Sequence, residues 1–133
     1  MRIFFAGSIR GGRQLRPLYR EIICLLSDMG HEIVSEHVAS ETLLEAEAKM
    51  SDREIFESDI RFIDECECMV AEVTMPSTGV GYEICYAVES NKKVVCLYKA
   101  GTNVSAMVTG NSRITSIPYA VIEELKDALL HGI

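Results

Sequence analysis

Met69-Val70-Ala71-Glu72-Val73-Thr74-Met75-Pro76-Ser77-Thr78-Gly79-Val80-Gly81-Tyr82-Glu83 is the stretch that decides the fold. Met69 to Val73 is a strand-like apolar run, and the Pro-Ser-Thr-Gly turn behind it leads into a helical pattern. The turn therefore leaves the carboxyl end of a sheet strand, where open α/β folds place their ligand crevices. Gly79 and Gly81 expose the backbone there, and Glu83 is expected in the first turn of the helix, where N–H groups keep a carboxylate ionised. An ionised glutamate at a crevice mouth suits attack on an electrophilic carbon, while Ser77 and the helix-start N–H groups suit an anion. The combination suggests glycosyl chemistry on a phosphorylated substrate. A glutamate at a helix start also serves simply to complement the dipole, so the reading needs support from elsewhere in the chain.

The amino-terminal run supplies some. Met1 to Gly7 reads as a strand, and Ser8-Ile9-Arg10-Gly11-Gly12-Arg13 as a glycine-rich turn. A helix follows, with Leu18, Ile22, Leu25, Leu26 and Met29 at helical spacing. Gly7, Gly11 and Gly12 permit close backbone approach, Ser8 offers a hydroxyl, and Arg10 and Arg13 offer guanidinium groups that match phosphate. The glycine spacing is not that of a dinucleotide fingerprint, and the Gly-Lys-Ser/Thr ending of a P-loop is missing. A tight strand-to-helix turn with solvent-facing arginines accounts for the same residues.

A chain of 133 residues with 48% hydrophobic content is sized for a single domain with one core and one site. The net charge of −7 speaks against a broad nucleic-acid-binding face but leaves room for a local cationic pocket. No apolar run reaches the roughly 18 residues of a membrane span, and a cytoplasmic protein is expected. Cys24, Cys66, Cys68, Cys85 and Cys96 fall mostly within apolar patterns, and Cys66-Glu67-Cys68 lacks zinc-site spacing. The histidines His31, His37 and His131 have no ligand spacing either, so neither a metal nor a cofactor is expected.

Strand patterns fall near 2–7, 32–36, 68–73, 93–98 and 114–117, and helical patterns near 13–29, 51–65, 80–90 and 120–131. This alternation predicts an α/β fold: a five-stranded parallel sheet with helices on both faces, Rossmann-like or flavodoxin-like, in one domain. Ser51-Asp52-Arg53-Glu54 has the capping-box pattern of a helix start. Residues 37–50 and 99–113 read as loops. In the helix over 51–65, Ile55, Phe56, Ile60, Phe62 and Ile63 make the apolar stripe, and Asp59 falls on the same face. A carboxylate there is costly unless hydrogen-bonded or functional, although an aspartate at the stripe's margin could also reach solvent. Asp59 and Glu83 together are the minimum equipment for glycosidic cleavage. His37 follows the second strand on the crevice side, and Tyr19 lies one helical turn past the glycine loop, close enough to line a pocket.

Gly7-Ser8-Ile9-Arg10-Gly11-Gly12-Arg13, Glu36-His37-Val38-Ala39, Asp59, the stretch Ala71 to Glu83 and Ser105-Ala106-Met107 together resemble the 2′-deoxynucleoside 5′-phosphate N-hydrolases. These enzymes belong to the nucleoside 2-deoxyribosyltransferase-like superfamily, and the resemblance runs in the same order over nearly all of 1–133. It implies hydrolysis of the N-glycosidic bond of a nucleoside 5′-monophosphate to free base and (deoxy)ribose 5-phosphate. Glu83 would be the nucleophile that forms a glycosyl ester, and Asp59 the second acid. Arg10, Ser77 and Gly79 match phosphate-binding positions, while Ser105, Ala106 and Met107 match a segment that reaches the neighbouring site of a homodimer. His37 and the loop Ala6, Gly7, Ser8, Ile9, Arg10 and Gly11 would line the base and sugar, with Phe4, Phe5 and Tyr19 beside them.

One position departs from the pattern. Deoxynucleotide-specific members usually carry a tyrosine where this chain has Phe4, and losing that hydroxyl makes acceptance of ribonucleotides plausible. Two other readings use the same residues: a nucleoside deoxyribosyltransferase that passes the sugar to a second base, and a non-catalytic nucleotide-sensing module.

Overall fold

The computed structural model describes residues 1–9, 13–35 and 47–133. Five strands, β1 (Arg2–Gly7), β2 (Glu32–Ile33), β3 (Cys68–Glu72), β4 (Lys93–Lys99) and β5 (Ile114–Tyr119), form one sheet. Their order is β2-β1-β3-β4-β5 and every pairing is parallel. The helices are α1 (Arg16–Asp28), entered through a 3-10 turn at Arg13–Leu15, α2 (Asp52–Glu65), α3 (Thr78–Glu89), the short α4 (Ala106–Thr109) and α5 (Ile122–Gly132). The expected parallel α/β sheet is therefore present. Most of the predicted 37–50 loop lies outside the described residues, and the predicted 99–113 loop contains α4.

The strands are nearly continuous apolar runs because both faces are covered. Ile3, Phe5, Val70, Val95 and Leu97 meet Tyr19, Ile22 and Leu26 of α1 and Leu125 and Leu129 of α5. The alternate residues Phe4, Ala6, Met69, Ala71, Val94 and Cys96 meet Ile63 of α2 and Val80, Ile84, Ala87 and Val88 of α3. Cys66, Cys68 and Cys96 are buried as expected, whereas Cys24 and Cys85 are exposed, and all five are free thiols.

Two elements differ from their sequence patterns for identifiable reasons. β2 stops at Ile33 because a side chain takes over its pairing: the Phe5 N–H donates to the Ser35 hydroxyl at 2.6 Å, and that hydroxyl donates to the Phe5 carbonyl at 2.8 Å. α2 begins with the predicted capping box, Glu54 N–H to Ser51 Oγ at 3.1 Å and Ser51 N–H to Glu54 Oε1 at 3.0 Å. Of its apolar stripe, however, only Ile63 is fully buried, and Phe56 is 51% exposed. As the crossover from β2 to β3, α2 starts at the carboxyl edge of the sheet and overhangs it. Its amino-terminal half therefore faces a cavity rather than strands.

The outer edge is β5. The Tyr119 carbonyl accepts from Ala100 N–H, so Tyr119 faces β4 and the preceding Pro118 faces the open side.

Candidate active site

Strand order reverses between β1 and β3, since β1 continues to β2 on one side while β3 continues to β4 on the other. Crevices form at such switch points, beyond the carboxyl ends of the strands. The register Gly7↔Glu72 sets those two ends level, so the Gly7-Ser8-Ile9 turn and the Val73–Ser77 loop open onto one space. A cavity of about 770 Å³ occupies it, lined by Gly7, Ser8 and Ile9, by Asp52, Ile55, Phe56, Asp59 and Ile60 of α2, and by Ser77, Thr78, Gly79, Tyr82 and Glu83 around the start of α3.

Each wall has a local cause. Gly7 is required by close approach: a Cβ there would lie 2.7 Å from Cζ of the Tyr19 ring. That ring also holds the turn from below, its hydroxyl donating to the Ser8 carbonyl at 3.2 Å. Ser77 is the N-cap of α3, accepting from Val80 N–H at 3.2 Å, and its hydroxyl proton remains a donor beside the helix start. Gly79 and Gly81 do not have positive φ, and a Cβ on either would meet no close neighbour. What their missing side chains provide is open backbone at the helix start.

Glu83 is half-buried and is the sixth residue of α3, past the turn where the helix dipole acts. The expectation that it stays ionised is corrected on that ground. Burial first, then the charge of Asp59, a hydrogen bond with Asp59, and the charge of Glu47 push its carboxyl up to about 8. Two carboxyl groups in hydrogen-bond contact hold one proton between them near neutrality. α2 and α3 thus bring Asp59 and Glu83 together across the cavity.

A third acidic residue, Glu72, passes for an ordinary strand residue in the sequence but is fully buried at the end of β3. Thr74 donates to it twice, N–H to Oε1 at 2.6 Å and Oγ1 to Oε2 at 2.9 Å, and the Tyr119 hydroxyl donates to Oε2. Lys99 N–H donates to Thr74 Oγ1 at 2.9 Å, so this carboxylate ties the loop into α3 to both β4 and β5. Burial and then the hydrogen bond to Glu72 raise the Tyr119 phenol, and burial and then the Glu72 charge push the Tyr19 phenol up to about 12.

The other predicted contacts among the described residues divide three ways. Gly7, Ser8, Ile9, Ser77 and Gly79 line the cavity with the carboxylates. Phe4, Phe5, Ala6 and Tyr19 are buried beneath it: Phe4 and Ala6 in the layer under α2 and α3, Phe5 against Tyr19 on the other face with ring centroids 5.7 Å apart. Tyr19 therefore supports the turn from below and is not among the lining residues. Ser105 and Met107 line a neighbouring cavity of about 510 Å³ that shares Ser77 with the first, and Ala106 is exposed beside them. Arg10, Gly11 and His37 lie outside the described residues. The lining role of Phe56 and Tyr82 is not foreseen in the sequence: spacing places Phe56 in the apolar stripe, and Tyr82 is given no role.

The profile of the nucleoside 2-deoxyribosyltransferase family matches residues 3–117. A protein of Methanococcoides burtonii that carries a provisional 2′-deoxynucleoside 5′-phosphate N-hydrolase name is 46% identical over 84% of this chain and 92% of its own. The 5-hydroxymethyl-dUMP N-hydrolase of Danio rerio is 42% identical over 84% of this chain and 80% of its own. Among solved structures, the CMP N-glycosidase BcmB of Clostridium botulinum has the same fold, with a TM-score of 0.74 at 23% identity over 100% of both chains. With the paired carboxylates at the β1/β3 switch point and relatives of this identity over most of its length, the chain belongs to the nucleoside 2-deoxyribosyltransferase family and groups with its 2′-deoxynucleoside 5′-phosphate N-hydrolases.

Proposed function

We propose that the protein hydrolyses the N-glycosidic bond of (2′-deoxy)nucleoside 5′-monophosphates, releasing free base and (deoxy)ribose 5-phosphate. The observation that carries this reading is the hydrogen-bonded, proton-sharing contact of Glu83 with Asp59 in a cavity beside the open start of α3. The 5′-phosphate sits against that helix start, Ser77 and the Ser8 turn, with Arg10 supplying charge. The sugar enters between the carboxylates and parts them. A Glu83 oxygen attacks C1′ as the C1′–N bond breaks, the Asp59 proton goes to the leaving base, and a glycosyl ester forms. Water then attacks C1′, gives its proton to Asp59 and releases Glu83. Retaining enzymes hold their carboxyl groups roughly 5–5.5 Å apart and inverting ones roughly 6.5–9.5 Å, and a pair that starts in hydrogen-bond contact is nearer the retaining spacing.

The active assembly in this reading is a homodimer. Ser105, Ala106 and Met107 are exposed, Met107 at 82%, and stand at the rim of the second cavity, where a partner's site can receive them. No helix among the described residues is long and apolar enough to cross a membrane. We place the enzyme in the cytoplasm, with its nucleotide substrates.

The test is mass-spectrometric detection of base release from the common ribo- and deoxyribonucleoside monophosphates, with and without an added acceptor base. Free base is expected from the wild type and none from Glu83→Ala. Base exchange in place of release would make the protein a transferase, and tight binding without turnover would make it a sensor. A deoxynucleoside lacking the phosphate should be processed far less efficiently than its monophosphate, since remote phosphate contacts raise turnover as well as affinity.

A further inference from the structure

Phe56 and Tyr82 are 51% and 55% exposed, yet their rings meet edge to face, with centroids 5.9 Å apart and planes at 62°. Both line the cavity that holds the carboxylates. Phe56 precedes Asp59 by one turn of α2, and Tyr82 is the neighbour of Glu83 on α3, so the pair stands beside the reacting groups. Rings this exposed add little to the core, and their placement calls for a ligand.

The geometry points to Phe56 and Tyr82 as the wall on which the leaving nucleobase stacks, which makes Phe56 a base-binding residue. The inference rests on the reading of the site given above, and three observations fix the direction of the base. Asp59 must reach a base nitrogen or oxygen to protonate it, so the base lies along α2. Toward the carboxyl end of α2 the next inward residue, Ile63, is fully buried against the sheet and leaves no room. Toward the amino end the helix overhangs into the cavity, and Phe56 is the aromatic surface met there. The sugar and phosphate occupy the opposite side, at Glu83, Ser77 and the Ser8 turn. A ring pair reads a π face and not a pattern of donors and acceptors. Purine and pyrimidine monophosphates are therefore both accommodated, and affinity follows stacking strength.

Isothermal titration of dAMP and of deoxyribose 5-phosphate separates this wall from a general binding effect. Glu83→Gln provides a background in which substrate is not consumed. Adding Phe56→Ala should raise the dAMP dissociation constant roughly tenfold to a hundredfold. The dissociation constant of deoxyribose 5-phosphate, which has no base, should stay unchanged, and Phe56→Tyr should keep dAMP binding within a few-fold of the background. Unchanged dAMP affinity in Phe56→Ala, or equal weakening of both ligands, would overturn the proposal. Base release by the wild type, measured separately, reports on the hydrolase reading alone: a protein that binds dAMP through Phe56 without cleaving it would end that reading and leave the stacking wall standing.

Discussion

A carboxyl pair that keeps one proton up to about 8 makes the folded state bind more protons than the unfolded chain, whose glutamates titrate near 4.5. The contribution of Glu83 is thus most favourable below about pH 4.5 and is lost as pH rises through about 8. Glu83→Gln, which keeps the shape and removes the titration, should melt higher than wild type at pH 8–9 and gain nothing near pH 4. Allowing for partial exposure and the shared proton, the gain is about 1 kcal/mol, or roughly 3–5 °C by calorimetry. The same variant should lose at least about a thousandfold in base release, and wild-type kcat/KM should fall above about pH 8, where the acid proton leaves the pair. Phe4 poses a different residue-scale question, because its ring is buried in the layer under α2 and α3, the helices that carry both carboxylates. Wild type should accept ribonucleoside monophosphates, and Phe4→Tyr should shift the kcat/KM ratio toward deoxynucleotides by about tenfold to a hundredfold. Strong rejection of ribonucleotides by wild type, with no change in the variant, would reduce Phe4 to packing. Glu83 and Asp59 were legible as candidates because spacing put each beside a crevice. Their shared proton was not, since it depends on the depth and contact of two helices that sequence does not register.

At the scale of elements, α3 is positioned by a carboxylate that does not touch the cavity. Glu72 receives Thr74 and Tyr119, and Thr74 receives Lys99, so the loop that delivers Ser77 cannot move without breaking contacts to two other strands. Tyr119→Phe removes one of these donors from a buried charge and should cost about 1–3 kcal/mol in urea unfolding. It should also lower kcat/KM through a less ordered α3 start, with dependence on the 5′-phosphate weakened. Little of this could be read beforehand, because Glu72 and Tyr119 are 47 positions apart and the bond between them leaves no periodic trace. The strands and helices themselves were legible, since apolar runs and 3.6-residue stripes are local. The length of β2 was not, because a serine hydroxyl continues its ladder.

For the whole molecule, the net charge of −7 leaves phosphate recognition to local donors, and the exposed Ser105–Met107 segment bears on assembly. If each site borrows that segment from its partner, Glu83→Ala should be inactive alone and Met107→Asp only weakly active. Mixing and re-equilibrating them should restore activity in proportion to the hybrid dimers that hold one intact site. A monomer at assay concentration in sedimentation, fully active, would defeat this prediction. The parallel sheet and its crevice could be foreseen from the order of strands and helices, but the two-cavity arrangement around Ser77 could not, as it follows from how far α2 and α4 overhang the sheet.

Pro118 bears on what this sheet can become. On the open side of β5 it presents a ring where a growing ladder needs an amide hydrogen, and at the far edge β2 offers only a two-residue strand. Neither margin is a good template for another strand, so crowding steers association away from fibrils and toward finite, closed assemblies built from helices and loops.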